Sequence, residues 1–365
     1  MPSTHKLGVL FINFGEPDVP ELDKVEPFLE RIFLMNAGLE PDESARDRAR
    51  QLAQDRAPGL IAEYQRIGGS PLNQQADAQA ARLEGTLRER GWDVRAYSAF
   101  QFTAPLIREK LAEVRADGVD GLVAVPAYPL CGQSTTVAAI ESIRAELVDM
   151  EWDPGLVAVS GWHHHPAYEA LRAETIREFT EERAVDLTDP NTLLYFSAHG
   201  TPIKYLNDGN RYDRYVEEHC RAIAGRLGAT RYAVGFQNHT NRRIPWTQPA
   251  NEVRIREATE SRLVVVPISF MHEQSETLVE LDHELREFME ELGKELLRVP
   301  VPHDDERFDA FLADLVECLV DDGGAGSGGL SPCRCAPHGG VLCTNGARDL
   351  PQSPYAAVEG SPPVA

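Results

Sequence analysis

Leu263-Val-Val-Val-Pro-Ile-Ser-Phe270, running on into Met271-His-Glu-Gln-Ser-Glu-Thr-Leu-Val-Glu-Leu-Asp-His-Glu284, decides the fold. The first part is apolar and β-branched without alternation, which reads as a strand buried on both faces of a parallel sheet. In the second part Glu276, Glu280 and Glu284 recur every four residues. On a helix that spacing predicts one column of carboxylates, with Leu278, Leu281 and Leu285 on the packed side. Like charges so spaced repel one another, so a column at the mouth of a sheet points to the handling of protons or cations; the plainer alternative is a solvated acidic face. A second strand, Thr192-Leu-Leu-Tyr-Phe-Ser-Ala-His199, carries a histidine at its C-terminal end, where open parallel sheets hold ligands.

Working outward, apolar runs alternate with helical patterns along the chain. Leu7–Phe14, Val94–Phe100 and Gly121–Pro126 read as strands of a first lobe, and helices are predicted near 20–35, 73–90, 104–116 and 135–150. The cadence restarts at Leu156-Val-Ala-Val-Ser160 and continues through 192–198, 232–237 and 263–269. The expectation is an α/β protein of two Rossmann-like lobes, 1–152 and 153–320, each a parallel sheet flanked by helices, with a cleft between them. From Asp321 a Gly-rich stretch reads as a flexible linker, and 321–365 as a loose tail whose end, from Gln352, is Pro- and Ser-rich and disordered.

A net charge of −22 over 365 residues argues against nucleic-acid partners, which need clustered Lys and Arg, and suits a protein that attracts cations. No run of about 18 apolar residues suggests a membrane span. The N-terminus leads straight into a strand and does not read as a secretory signal. Six cysteines make no disulfide framework at this length, which points to the reducing cytoplasm.

Several motifs then resemble the ferrochelatase family, in its order: Gly8-Val-Leu-Phe-Ile-Asn-Phe-Gly-Glu-Pro17, Tyr64-Gln-Arg-Ile-Gly-Gly-Ser-Pro71, Tyr128-Pro129 with Ser134-Thr-Thr136, Phe196-Ser-Ala-His-Gly-Thr-Pro202, Gln237 with Pro245-Trp246, and Ser275-Glu-Thr-Leu-Val-Glu-Leu-Asp282. The resemblance implies the class II chelatase fold and insertion of Fe(II) into a porphyrin. It makes His199 the catalytic histidine, Glu276 its partner and Glu273 a second acid near the pocket. The chemistry agrees, because metal insertion removes two pyrrole protons and needs a base close to the ring. His199 as proton acceptor, with Glu276 opening a route continued by Glu280, Asp282 and Glu284 for protons or Fe(II), is the expected division of labour. Either His199 or Glu276 could bind iron first.

Asn13-Phe14-Gly15 resembles the Asn-Met-Gly of protoporphyrin-type members, with Phe14 packing on the macrocycle where coproporphyrin-type members place a tyrosine. Protoporphyrin IX is therefore favoured over coproporphyrin III. Tyr128 and Trp246 are expected in the porphyrin pocket, and Arg66 either meets a propionate or forms a surface ion pair. Phe28, Leu29, Ile32, Phe33, Leu34 and Met35 resemble an apolar lip that could touch the inner membrane peripherally; an ordinary amphipathic helix is the alternative.

Cys333, Cys335 and Cys343 lie close enough in sequence for either Zn or a [2Fe–2S] cluster, given a fourth ligand. The resemblance favours [2Fe–2S], since many members carry one at the C-terminus, with Cys131 as fourth ligand and Cys318 as the alternative. Cys220 reads as packing, and His163-His164-His165 as a surface loop whose side chains diverge. Rival readings are a haem or porphyrin carrier on the same fold, and a cobalt or nickel chelatase of a related tetrapyrrole. Monomer and homodimer both remain compatible with the sequence.

Overall fold

The computed structural model describes residues 6–37, 45–238, 244–321, 329–335, 339–346 and 349–355. Strands β1 (Leu7–Asn13), β2 (Val94–Phe100), β3 (Gly121–Pro126) and β4 (Val157–Gly161) lie parallel in the order β2-β1-β3-β4. Strands β5 (Thr192–His199), β6 (Tyr232–Gln237), β7 (Arg262–Pro267) and β8 (Glu295–Arg298) form a second parallel sheet, ordered β6-β5-β7-β8. Helices cover both sheets, so β1 and the apolar part of β5 are buried throughout, as unalternating runs require. Val9, Phe11, Trp162, Phe308 and Leu312 share one core, and Phe196, Val216, Ile223 and Val266 another.

Two boundaries differ from expectation. The strand that was to open the second lobe, β4, pairs with β3 and belongs to the first sheet instead. The helix Glu306–Asp321 also packs back on the first lobe, against β3, β4 and the helix Leu72–Glu89. The division by sheets therefore falls after Gly161, and the chain returns to the first lobe near 306. Apolar cadence signals that a strand exists; which neighbour it pairs with is set by non-local packing.

The tail is likewise not loose where it is described. β9 (Ser331–Pro332) and β10 (Val341–Cys343) extend the first sheet, β10 lying parallel to β4 and antiparallel to β9. Beyond them, Leu350 O accepts from Arg211 and Gln352 O from Arg214, so 349–355 follows the second lobe. The linker at 322–328 and the last residues, 356–365, lie outside the described residues.

The His163–His165 segment is a further correction. It turns inward between the lobes, where His163 is fully buried 3.4 Å from Glu218 Oε2. His165 is buried and caps the helix Pro166–Glu182 by accepting from Ala167 N, while His164 pairs with Glu169 at 2.6 Å. The fully buried Trp162 pulls this segment into the core. Among the described residues no helix is long and apolar enough to cross a membrane.

Candidate active site

His199 stands at the C-terminal end of β5, as the strand reading required. Its Nδ1 lies 2.5 Å from Gly200 O. A carbonyl only accepts, so Nδ1 carries the hydrogen and Nε2 is left to gain or lose a proton. Nε2 lies 3.0 Å from Glu276 Oε1. Burial disfavours the imidazolium, yet Glu276 and then Glu280 outweigh it, and the pKa of His199 is raised. The rings of Trp246 and Phe270 stand 6.4 and 6.2 Å from the imidazole.

Glu276 is held from several sides. Its other carboxylate oxygen accepts from Gln274 Nε2, and its backbone carbonyl accepts from Gln237 Nε2 at 2.9 Å. The same Gln237 amide reaches Glu280 Oε2 at 3.0 Å. The expected regular column is broken: after the helix Ser275–Leu278 the chain widens into a π turn over Glu280–Leu285, with Glu284 N bonded to Val279 O. Glu280 remains inside, where burial and then Glu276 push its carboxyl up to about 8. Glu284 is exposed. Leu281 and Leu285 are buried as predicted, whereas Leu278 is only half-buried.

Two adjoining cavities lie in the cleft between the lobes. Phe14, Ser134, His199, Gly200 and Glu276 line both. Tyr128 lines the first, its hydroxyl donating to Gln101 Oε1 at 2.7 Å, and Trp246 lines the second. Phe14 packs against Phe102 and Phe28 at ring distances of 4.5 and 6.1 Å. Phe28, Leu29, Ile32, Phe33 and Met35 form the apolar side of the second cavity, with Leu34 exposed. A third cavity lined by Arg56, Glu63, Glu280 and Glu284 adjoins the second, so the acidic path leads outward.

Three expected members sit elsewhere. Glu273 pairs with Arg298 at 2.6 Å and also accepts from Val301 N, and it lines neither central cavity. Asp282 accepts from the same guanidinium at 2.9 and 2.6 Å, so Arg298 withdraws it from the outward route. Arg66 is exposed and pairs with Glu287 at 2.9 Å, the surface alternative.

Glu16 was missed because Gly-Glu-Pro reads as a turn. It is buried on the wall of the second cavity, accepting from Ser70 Oγ at 2.5 Å and from Ser275 N at 3.0 Å, and also from Ser275 Oγ. A charged residue inside an otherwise apolar strand-end motif was the available signal. Gln274 and the serines gave none.

Away from the cleft, four thiols gather at the edge of the first sheet. Cys343 is in register with Gly161, at which an added Cβ would stand 3.3 Å from Cys131 Cβ. Hydrogen bonds from Cys335 and Cys343 hold the Cys333 thiol well down and push their own thiols up. Burial and then Cys333 push Cys131 up to about 12. Among the described residues no three ligands are already spaced to grip a single ion. As a donor set the four sulfurs nevertheless fit an iron–sulfur cluster, and Tyr215 bonds to Cys335 beside them. Cys318 packs on the first core instead, and Cys220 is buried in the second.

Two open, mainly parallel sheets flank a cleft lined by His199 and Glu276, the architecture of the class II chelatase fold. SirB from Bacillus subtilis, a structure with Fe3+, matches with a TM-score of 0.51 at 12% identity, over 88% of this chain and 98% of that one, which is a likeness of fold. The ferrochelatase family model matches residues 6–318. A ferrochelatase of Phenylobacterium zucineum (strain HLK1) is 34% identical over 350 residues, 93% of this chain and 99% of the relative. One of Synechococcus sp. (strain RCC307) is 33% identical over 325 residues, 86% and 82% of the two chains. The chain belongs to the ferrochelatase family, enzymes that insert ferrous iron into a porphyrin.

Proposed function

We propose that the enzyme inserts Fe(II) into protoporphyrin IX, with His199 taking the two pyrrole protons in turn and Glu276 as its partner. The observation that carries this is the 3.0 Å contact of His199 Nε2 with Glu276 Oε1, while Nδ1 is committed to Gly200 O. The macrocycle lies between the Phe14 and Trp246 sides of the cleft. Each proton taken at Nε2 makes an imidazolium that Glu276 stabilises, and the proton then leaves by Glu280 toward Glu284 and water. Two protons depart for one Fe(II) that enters, so charge balances without a redox step. A carboxylate path binds a hard or borderline divalent ion weakly, which suits transfer better than storage.

Phe14 supports the protoporphyrin assignment, since its ring offers packing and no metal ligand. Cys131, Cys333, Cys335 and Cys343 would hold a [2Fe–2S] cluster, which supplies a redox-active, structure-bearing link outside the cleft. The exposed Leu22 and Leu34 beside the apolar lip support peripheral membrane contact on the cytoplasmic side. The test is anaerobic Fe(II) insertion with protoporphyrin IX and coproporphyrin III in parallel. A higher kcat/KM for protoporphyrin IX is expected. Preference for coproporphyrin III would reverse the substrate assignment, and tight binding of both without turnover would favour the carrier.

A further inference from the structure

Glu16 and Ser275 are far apart in sequence and belong to opposite lobes, yet one carboxylate takes up both polar groups of that serine. Oε2 accepts from Ser275 N at 3.0 Å, and Oε1 accepts from its hydroxyl. On the first lobe the same Oε2 accepts from Ser70 Oγ at 2.5 Å, and Asn73 Oδ1 takes the Glu16 backbone N–H at 3.0 Å. The segment bearing Glu16 is itself fixed. Gly15 has a φ of +79°, and a Cβ there would meet Thr103 Oγ1 at 2.3 Å. Gly69 has a φ of +102°, and a Cβ there would meet Asp18 O at 2.4 Å. The turn carrying Ser70 is thus pressed directly on the loop that carries Glu16.

We infer that Glu16 is a positioning residue: it clamps Ser275 across the cleft and so sets where the Glu276 carboxylate meets His199. Consecutive Cα atoms are about 3.8 Å apart, so holding both the N–H and the hydroxyl of Ser275 leaves Glu276 little freedom of entry into its helix. A buried carboxylate flanked by polar donors from two lobes is costly unless all its partners are met, and here they are. Burial raises the Glu16 carboxyl, the serine donors lower it and the nearby Glu276 charge raises it, with burial prevailing. The inference rests on the His199–Glu276 reading and adds a reason for the pair's alignment. A displacement of about 1 Å at a reacting group can cost about 100-fold in rate.

The test is a double-mutant cycle on anaerobic Fe(II) insertion, with Glu16→Ala, Glu276→Gln and the double variant, and Glu16→Gln alongside. Glu16→Ala is expected to lower kcat between about 10- and 100-fold with KM for the porphyrin within about 3-fold. Glu16→Gln should restore most of the rate, because its amide oxygen still accepts from Ser275 N. In the Glu276→Gln background, Glu16→Ala should add less than about 2-fold. Unchanged kcat in Glu16→Ala, or a full additional loss in the double variant, would overturn the inference alone. A fully active Glu276→Gln would remove the catalytic pair itself, and with it this role. Should Glu16→Ala not fold, by thermal melting, Ser70→Ala and Ser275→Ala run the same cycle and must show the same non-additivity.

Discussion

Arg298, on the second sheet's last strand, holds Glu273 and Asp282 together. Its Nη1 lies 2.6 Å from Glu273 Oε1 and its Nη2 2.6 Å from Asp282 Oδ2. The pair Glu273–Arg298 is largely buried, and removing the guanidinium leaves the Glu273 carboxylate without its counter-charge in a poorly solvated site. Arg298→Ala should therefore destabilise the protein by about 3–5 kcal/mol in denaturant unfolding, and Glu273→Gln by less. Insertion activity per folded molecule should change little, because neither Glu273 nor Arg298 lines the central cavities. A selective loss of kcat with stability intact would restore Glu273 as a second acid near the pocket.

The proton balance of Glu280 gives a stability test with a definite sign. Its carboxyl is raised from 4.5 to about 8 in the fold, so between those values the folded state binds more proton than the unfolded one. Stability contributed by that proton is present at low pH and lost as pH rises through about 8. Glu280→Gln mimics the protonated form. Its melting temperature should exceed the wild type's increasingly as pH climbs across that window. A difference that is flat with pH would show that Glu280 titrates normally.

The acid limb of the activity profile is expected to follow His199. Burial lowers and Glu276 raises its pKa, and Glu276 prevails. Removing that carboxylate in Glu276→Gln should let the imidazole deprotonate at lower pH, moving the acid limb of kcat/KM downward while kcat itself falls about 100-fold or more. An acid limb that stays in place would mean that another group reports it.

Cysteine exchange separates the cluster from the cleft. Protein isolated anaerobically should carry equimolar iron and acid-labile sulfide, and Cys131→Ser should lose both, measured chemically and by absorbance. Cys318→Ser should retain them. The opposite pattern would move the fourth ligand to the helix Glu306–Asp321.

Much of this was legible in the sequence, and the reasons are particular. Short, β-branched, unalternating runs such as Leu7–Asn13 and Leu263–Pro267 read as buried parallel strands, and His199 and Glu276 then fall where such sheets bind ligands. The four-residue spacing of the glutamates overreached, because i to i+4 periodicity says nothing of a turn that widens to i+5. Arg298 stands 25 residues after Glu273 on a short edge strand, a pairing that no local pattern announces. The placements of β4 and β10 are also non-local: three residues, Val341–Cys343, carry too little periodicity to reveal a strand. The His163–His165 run reads as a surface loop because adjacent side chains diverge, and divergence alone does not say that the segment turns inward with the buried Trp162.

The most direct measurement is single-turnover, anaerobic Fe(II) insertion into protoporphyrin IX by the wild type and His199→Ala, with porphyrin affinity measured on the same samples. The account predicts at least about a 100-fold loss of insertion rate in the variant, with porphyrin binding retained. Insertion at the wild-type rate by His199→Ala would contradict it.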